Sequence, residues 1–297
     1  MYCYYPKQLA WQEIFTGDKL TVMARNLALG KVYLVGAGPG AADLITVRGA
    51  KLLAQADIVF HDALVEPEML DLCPQAIKVA VGKRCGKLSS AQHFINKRLI
   101  DSAQQYKTIV RLKGGDPMLF GRADEEITSL KEIGIEVEVV PGITAALAGA
   151  ASLQQSLTLR GVSRSVAFIT LAQATENGAD GTQAISNPSA DTLVYYMGRK
   201  DAAKIAQQLI NQSTNHTSNT PVHILEAVST QRERQWASTL GELALGTADS
   251  WFDSNSPALI MVGEALRQPE EISNSPSTEI DNRLQDSKIL PNSRRRA

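Results

Sequence analysis

The sequence has little net charge and no strongly apolar run. Its 30 Lys and Arg residues nearly balance 31 Asp and Glu residues, so no overall field would attract nucleic acid or an anionic membrane. An anionic partner must therefore meet a local cluster of cations. The longest uncharged stretch, residues 139–159, contains a proline and two glycines, and alanine is the commonest of its apolar residues. Such a stretch does not predict a membrane-spanning helix.

Cysteine is also scarce, which bears on the redox environment. Cys3, Cys73 and Cys85 are scattered, odd in number and without a CxxC pair, so a disulfide framework is not expected and a reducing cytoplasm fits better. The four histidines lack metal-ligand spacing, so no metal is predicted. The N-terminus carries charges and aromatic residues without the apolar core of a signal peptide.

Strand and helix patterns alternate through the middle of the chain. Strands are predicted at 31–35, 57–61, 77–81, 108–112 and 136–140, then at 165–170, 192–197, 221–226 and 257–262. Helices are predicted near 46–55, 89–105, 122–133 and 201–210, the second opening with the capping-box spacing of Ser89 and Gln92. This alternation is typical of α/β sheets with many parallel strands.

The two series of strands predict two α/β domains. We place them at 30–143 and 144–266, joined through the stretch of small residues at 141–155. Residues 1–29 lack clear periodicity and are expected to form a loose extension. Residues 267–297 are polar, and we predict a disordered tail because they have too few apolar residues to offset their ordering entropy.

The first predicted strand ends in a glycine-rich loop, "VGAGPG". Gly36, Gly38 and Gly40 resemble a dinucleotide fingerprint, but their spacing is wrong and Pro39 interrupts the run into a helix. A P-loop is excluded as well, because no Gly-Lys-Ser/Thr follows. A rigid loop remains at the carboxyl end of a strand, where open α/β sheets bind their ligands.

Other strand ends carry comparable loops. "GGDP" occupies 114–117, "PGITA" occupies 141–145, and Met197 and Gly198 follow "TLVYY". Each alone is more typical of a turn. Together they predict a shared cleft lined by main-chain groups, which suits a nucleoside or a zwitterion.

Seven segments resemble the tetrapyrrole methylases. They are "VYLVGAGPG", "VGKR", "RLKGGDPMLFGR", "VVPGITAA", "GVSRSV", "YYMG" and "PALIMVG". The resemblance covers residues 30–266 in order. It implies two α/β domains with S-adenosylmethionine in the cleft between them, C-methylation of a reduced tetrapyrrole, and a homodimer in the cytoplasm, with no metal.

The resemblance also assigns residues. It places cofactor contacts at Pro39, Gly114, Gly115, Asp116, Leu119, Thr144, Ala145, Met197 and Val228. It implies a general base at Asp62 and a proton donor at Lys83, although the sequence alone favours a helix N-cap for Asp62 and a solvated turn for Lys83. The substrate's carboxylates call for cations, and candidates near the motifs are Arg84, Lys113, Arg122, Arg160 and Arg164.

The sequence departs from the family pattern at several positions. Ala41 replaces an acidic residue, Leu159 replaces a histidine, and Leu171 and Ala172 replace a glycine and a histidine. Val228 replaces a glycine, which weakens its assignment as a cofactor contact. Two alternatives stay open at this point: a sibling methylase acting on a cobalt-precorrin, and a non-catalytic nucleotide-binding module.

Overall fold

A computed structural model describes residues 10–16, 19–25, 29–81, 88–171 and 189–268. The strands are β1 (Ala10–Thr16), β2 (Lys19–Arg25), β3 (Lys31–Gly36), β4 (Ile58–His61), β5 (Ile77–Ala80), β6 (Thr108–Lys113), β7 (Val137–Val140), β8 (Val166–Thr170), β9 (Thr192–Tyr196), β10 (Pro221–Glu226), β11 (Arg234–Thr239) and β12 (Ala258–Val262). The α-helices are α1 (Val47–Leu53), α2 (Leu88–Ala103), α3 (Ala123–Glu132), α4 (Ala145–Leu153), α5 (Ala202–Gln212) and α6 (Leu240–Ala244). Short 3-10 helices occupy Ala42–Leu44, Pro67–Leu72, Arg199–Asp201 and Glu264–Leu266.

The first large sheet is entirely parallel, in the order β5-β4-β6-β3-β7. Its three central strands, β4, β6 and β3, are mostly buried, as parallel strands covered by crossover helices are expected to be, whereas the edge strand β5 is largely exposed. Along β3, Val35 packs with Leu53 of α1, whereas Leu34 packs on the opposite face with Leu99 of α2 and Leu130 of α3. The five strands predicted for this region are confirmed, with bounds shifted by one residue at most.

The second sheet has the order β11-β10-β12-β9-β8 and is mostly antiparallel. Only β8 and β9 pair in parallel among its described strands. The expectation of mainly parallel strands was therefore wrong here, because β12 inserts between β9 and β10 and runs against both. The edge strand β11 was not predicted, since its residues are polar and largely exposed.

Helices α4 and α5 cover opposite faces of the second sheet. On α5, the predicted apolar face is confirmed by the burial of Ala202, Ile205, Ala206 and Leu209. On α4, small residues allow close packing: a Cβ added at Gly149 would lie 3.4 Å from the Met261 sulfur. The described residues up to Leu266 form one compact unit that contains both five-stranded sheets.

The sequence prediction also failed at the start of α2. The helix begins at Leu88, so Ser89 lies inside it and does not precede it. The Gln92 amide donates to Asn96 and Glu126 at 3.1 Å each, so it does not close the predicted capping box.

Two further predictions concern the two ends of the chain. In the N-terminal segment, where no strand was predicted, β1 and β2 pair antiparallel from Ala10 and Arg25 to Thr16 and Lys19. Most of the predicted C-terminal tail, residues 269–297, lies outside the described residues.

Candidate active site

Three loops meet at the carboxyl ends of neighbouring strands in the parallel sheet. Strand β3 lies between β6 and β7, so the loops that follow these strands share one edge of the sheet. Gly115 donates its N–H to the Gly38 carbonyl at 2.7 Å, and Gly38 donates to the Gly115 carbonyl at 3.2 Å. Three of the four predicted strand-end loops are thus neighbours in the structure.

Close packing of these loops explains two of their glycines. A Cβ at Gly142 would lie 2.2 Å from the Gly115 carbonyl oxygen, and a Cβ at Gly36 would lie 2.6 Å from the Gly142 Cα. Both distances are far below van der Waals contact. These positions therefore require glycine for the loops to approach each other.

The adjacent glycines of "GGDP" have different surroundings. A Cβ at Gly114 would lie 2.7 Å from the Leu64 Cβ, so this glycine accommodates a neighbouring loop of the protein. Gly115 has φ +67°, and no atom lies within 4 Å of the position its Cβ would take. Gly115 therefore has open space where a side chain would lie, whereas Gly114 does not.

Asp116 holds two of the loops together. One carboxylate oxygen accepts the Met118 N–H and the other accepts the Gly142 N–H, each at 2.8 Å. Charge-assisted hydrogen bonds of this kind are stronger than neutral ones. The carboxylate at the centre of "GGDP" thus orders the wall of the cleft.

Asp62 follows β4 at the same edge of the sheet. Its carboxylate accepts the Leu64 N–H at 3.1 Å and the Gly114 N–H at 3.3 Å, and its side chain is 26% exposed. The helix N-cap interpretation is wrong, because the next helix begins at Pro67 with Glu66 at its N-cap. Asp62 is therefore a positioned, solvent-accessible carboxylate next to the glycine loops.

Behind Asp62 lies a buried ionic network on β6 and α3. Arg111 places its Nη2 3.9 Å from the Asp62 carboxylate and its Nε 3.2 Å from the Glu126 carboxylate. Lys113 Nζ lies 3.1 Å from both Glu126 oxygens, and its pKa is lowered by burial and by the nearby Arg111 charge. Because the Lys113 ammonium is 95% buried and paired with Glu126, the structure does not present it as a ligand for substrate carboxylates.

The other predicted cations differ in their surroundings. Arg122 is partly exposed and forms a two-point pair with Glu125, at 2.6 and 2.7 Å. Arg160 is exposed on the turn bounded by the bridge between Leu159 and Ser163, and Arg164 is exposed directly after this turn. Lys83 and Arg84 lie outside the described residues.

The remaining predicted cofactor residues are divided between the two halves of the molecule. Thr144 is the N-cap residue of α4 and Ala145 is its first residue. Met197 follows β9 with φ 57° and is 55% exposed. Pro39 and Leu119 are partly buried in the loops of the first half.

Val228 is buried against the first glycine loop. A Cβ at Gly40 would lie 2.9 Å from the Val228 carbonyl oxygen. In the neighbouring residues, the Ala41 N–H donates to the Ser229 hydroxyl at 3.2 Å. The main chain at Val228 thus contacts the loop that contains Pro39, which is compatible with its predicted position despite the lost glycine.

Tyr196 and Phe120 are aromatic residues of the site that were not predicted. The Tyr196 ring lies 5.2 Å from Phe120, which follows "GGDP", and 6.2 Å from Phe168. The Tyr196 hydroxyl lies 2.6 Å from the Thr144 hydroxyl. The available signal was the quoted "YYMG" segment, in which we assigned only the methionine.

A separate groove of about 540 Å³ lies beside α4 and β8. Among its lining residues are Leu147, Leu157 and Phe168, and it includes none of the predicted site residues. Within the described part of the chain, no cluster of His, Cys, Asp and Glu could hold a metal ion. The same residues include no helix of the length and apolarity needed to cross a membrane.

Comparisons with known proteins agree with the resemblance of the motifs. The sequence profile of the Tetrapyrrole (Corrin/Porphyrin) Methylases matches residues 31–244. The chain is 42% identical over 238 residues to the uroporphyrinogen-III C-methyltransferase of Pseudomonas aeruginosa, covering 80% of this chain and 95% of that protein. It is 38% identical over 286 residues to the siroheme synthase of Stutzerimonas stutzeri, covering 90% of this chain but only 60% of that protein.

Solved structures confirm the predicted fold class of two α/β domains. The uroporphyrin III C-methyl transferase of Thermus thermophilus superposes with a TM-score of 0.67 at 34% identity, covering 81% of this chain and 96% of that one. A form of this enzyme complexed with S-adenyl homocysteine superposes with a TM-score of 0.67 at 36% identity, covering 80% of this chain and 94% of that one. The cobalt precorrin-4 methyltransferase CbiF has a TM-score of 0.65 at 27% identity, covering 80% of this chain and 96% of that one.

Proposed function

Because the chain belongs to the tetrapyrrole methylase family, we propose that it transfers two methyl groups from S-adenosylmethionine to ring carbons of uroporphyrinogen III, giving precorrin-2. The observation that carries this proposal is the meeting of the three glycine loops beside Asp62, with open space at Gly115. Support also comes from the Pseudomonas aeruginosa methyltransferase, which this chain matches over 95% of its length.

The described residues fit S-adenosylmethionine. Gly115 has open space where any side chain would lie, Thr144 and Ala145 stand at the start of α4, and Met197 directly follows β9. When bound, the cofactor supplies a sulfonium methyl group that is already activated. The protein's main task is then to hold the reacting groups in line, a form of positioning worth roughly 7–11 kcal/mol in favourable cases.

Asp62 is our proposed general base. A proton must leave the macrocycle when one of its ring carbons is methylated, and a positioned base contributes ~10²–10⁴-fold to such a step. Two backbone N–H donors fix the Asp62 carboxylate, and its partial exposure leaves it accessible to a substrate. Lys83 stays a prediction for the proton donor.

Local cations would bind the substrate's carboxylates. Arg160 and Arg164 are exposed, and Arg122 is partly exposed in its pair with Glu125. We retain these three, together with Arg84, as proposed ligands because the guanidinium group binds carboxylates in a two-point geometry. Lys113 is left out because its charge is neutralised inside the protein by Glu126.

The proposed product would serve siroheme or cobalamin synthesis. This chain spans about 60% of the length of the siroheme synthase of Stutzerimonas stutzeri. We therefore propose only the methylation step for this chain. We also propose that the two α/β domains divide after residue 143, and that the protein acts in the cytoplasm.

We further propose a homodimer. The groove beside α4 exposes apolar side chains, with Leu147 54% and Phe168 38% exposed, and exposed apolar patches often mark interfaces. Light scattering on the wild type and on Phe168→Glu tests this, with a dimer and a monomer expected respectively. A monomeric wild type at micromolar concentration would contradict the proposal.

Incubation with uroporphyrinogen III and labelled S-adenosylmethionine tests the main function. Mass spectrometry of the product should show two added methyl groups. Precorrin-4 or a cobalt-precorrin accepted in place of uroporphyrinogen III would instead support a sibling methylase. Absence of S-adenosylhomocysteine binding by the wild type would reject the methyltransferase proposal as a whole.

A further inference from the structure

Two adjacent tyrosines at the end of β9 face opposite sides of the second sheet. Tyr195 is fully buried in the core beneath α5, and its hydroxyl is buried without a hydrogen-bond partner. This burial raises the pKa of Tyr195 to about 12. Tyr196 lies on the other face of the sheet, where it packs with residues of α4 beside the candidate site.

The Tyr196 hydroxyl acts on the first turn of α4. It lies 2.6 Å from the Thr144 hydroxyl and accepts the Ala146 N–H at 3.1 Å. The first N–H groups of a helix have no partner within the helix. Thr144 is the N-cap residue, yet its side chain makes no cap hydrogen bond. The Tyr196 hydroxyl, from a neighbouring strand, thus accepts the helix N–H group that an N-cap side chain usually accepts.

The Tyr196 ring contacts the other half of the molecule. Phe120 packs on it at 5.2 Å between ring centroids, with the ring planes tilted by 59°. Phe120 has φ 53°, so the loop after "GGDP" adopts a left-handed conformation at this contact. A single side chain therefore contacts the loop of the parallel sheet and the start of α4.

We propose that Tyr196 is a positioning residue for the cofactor site, and this inference rests on the proposed function. Its hydroxyl holds Thr144 and Ala145 in the conformation that binds the cofactor, and its ring supports the loop from Gly115 to Phe120. Tyr196 acts through these neighbours. Loss of its hydroxyl should therefore weaken cofactor binding without disabling the chemical step.

The test compares Tyr196→Phe with Tyr195→Phe as a matched control. Both variants remove one hydroxyl from the same strand, and only Tyr196 contacts the site. Calorimetry with S-adenosylhomocysteine should show a Kd raised by about five- to ten-fold for Tyr196→Phe. The Tyr195→Phe variant should keep the wild-type Kd. The KM for S-adenosylmethionine should rise in Tyr196→Phe while kcat stays within about two-fold.

Hydrogen exchange separates this role from general stability. In the free protein, the Ala146 amide should exchange faster in Tyr196→Phe, and amides at the centre of α5 should not. An unchanged Kd in Tyr196→Phe, beside normal binding by the wild type, would overturn the inference alone. Failure of the wild type to bind S-adenosylhomocysteine would overturn both the inference and the proposed function. A lowered kcat at unchanged KM would also contradict a role in cofactor positioning.

Discussion

The two halves of the molecule build their sides of the cleft differently. The parallel sheet contributes main chain: Gly36, Gly115 and Gly142 approach one another too closely for side chains at two of the three positions. The second half contributes side chains such as those of Tyr196 and Met197. Positive φ at residues other than glycine occurs in both halves, at Met197, Ala227 and Ser229 in the second and at Phe120 and Arg122 in the first. Backbone strain of this kind persists where surrounding contacts hold it, often at functional sites.

This difference predicts how each half responds to mutation. Where the cleft is lined by closely packed backbone, an added Cβ should destabilise the fold and abolish cofactor binding, because no side chain can move to make room. Where the cleft is lined by side chains, each substitution should weaken cofactor binding by a smaller amount. The predictions below test this contrast in order of expected effect.

The largest effect is expected for Gly142→Ala. Its Cβ would lie 2.2 Å from the Gly115 carbonyl and 2.8 Å from the Gly36 Cα, so the loops must separate. We expect a loss of about 3 kcal/mol or more in the free energy of unfolding, together with loss of S-adenosylhomocysteine binding. Urea denaturation and calorimetry measure the two.

Gly115→Leu is the contrasting variant in the same group of loops. No atom lies within 4 Å of its Cβ position, so only the strain at φ +67° affects stability, by about 1–2 kcal/mol. Binding of S-adenosylhomocysteine should nevertheless be abolished, because the side chain enters the proposed cofactor space. Equal stability losses in Gly115→Leu and Gly142→Ala would remove the distinction between the two glycines.

Asp62→Asn separates chemistry from binding. The amide keeps the size of the carboxylate, but it can accept only one of the N–H groups of Leu64 and Gly114, which bond different oxygens, and it cannot take up a proton at neutral pH. We expect normal folding, near-normal S-adenosylhomocysteine affinity, and turnover lowered by ~10²-fold or more. Full turnover in the variant would reject the general base.

A smaller effect concerns His216 in the second half. Burial lowers the pKa of His216, and its neighbours Asp191 and Glu264 oppose this shift only in part. The unfolded state therefore binds a proton at a higher pH than the folded state. Stability should fall as the pH drops below about 6.5, by at most about 1.4 kcal/mol per pH unit, until the lowered pKa is reached.

Denaturation at pH 7.5 and 5.5 measures this dependence. His216→Gln should reduce the difference in stability between the two pH values. His93 is an exposed histidine on α2, so His93→Gln serves as the control and should leave the difference unchanged. An identical pH dependence in wild type and His216→Gln would show that other groups dominate it.

The smallest effect is expected at the C-terminus. Removal of residues 271–297 should leave activity and Tm unchanged, because this polar segment has too few apolar residues to contribute a core. A large drop in Tm would contradict the prediction. This deletion would also show whether the contrast between the two halves depends on anything beyond residue 266.

Much of the site could be predicted from sequence, and the failures share a cause. "GGDP" indicated permissive backbone at a strand end, and the structure places both glycines there. Lys113 looked like a surface cation beside the motif, but Glu126 pairs with it from α3, 13 residues further along the chain. A buried partner of this kind leaves no periodic signal, because the two residues meet only when helix and sheet pack.

The sequence by itself determined most of the strands and helices and the glycine loops at the strand ends, because these depend on local periodicity and on backbone freedom, and its motifs carried the resemblance to the family. Tertiary structure alone decided that Gly114 faces Leu64 while Gly115 faces open space. It also decided that Tyr196 reaches Thr144 across 52 residues of chain. The physical reason is the same for each: these contacts depend on how β4, α4 and β9 pack, which no local pattern encodes.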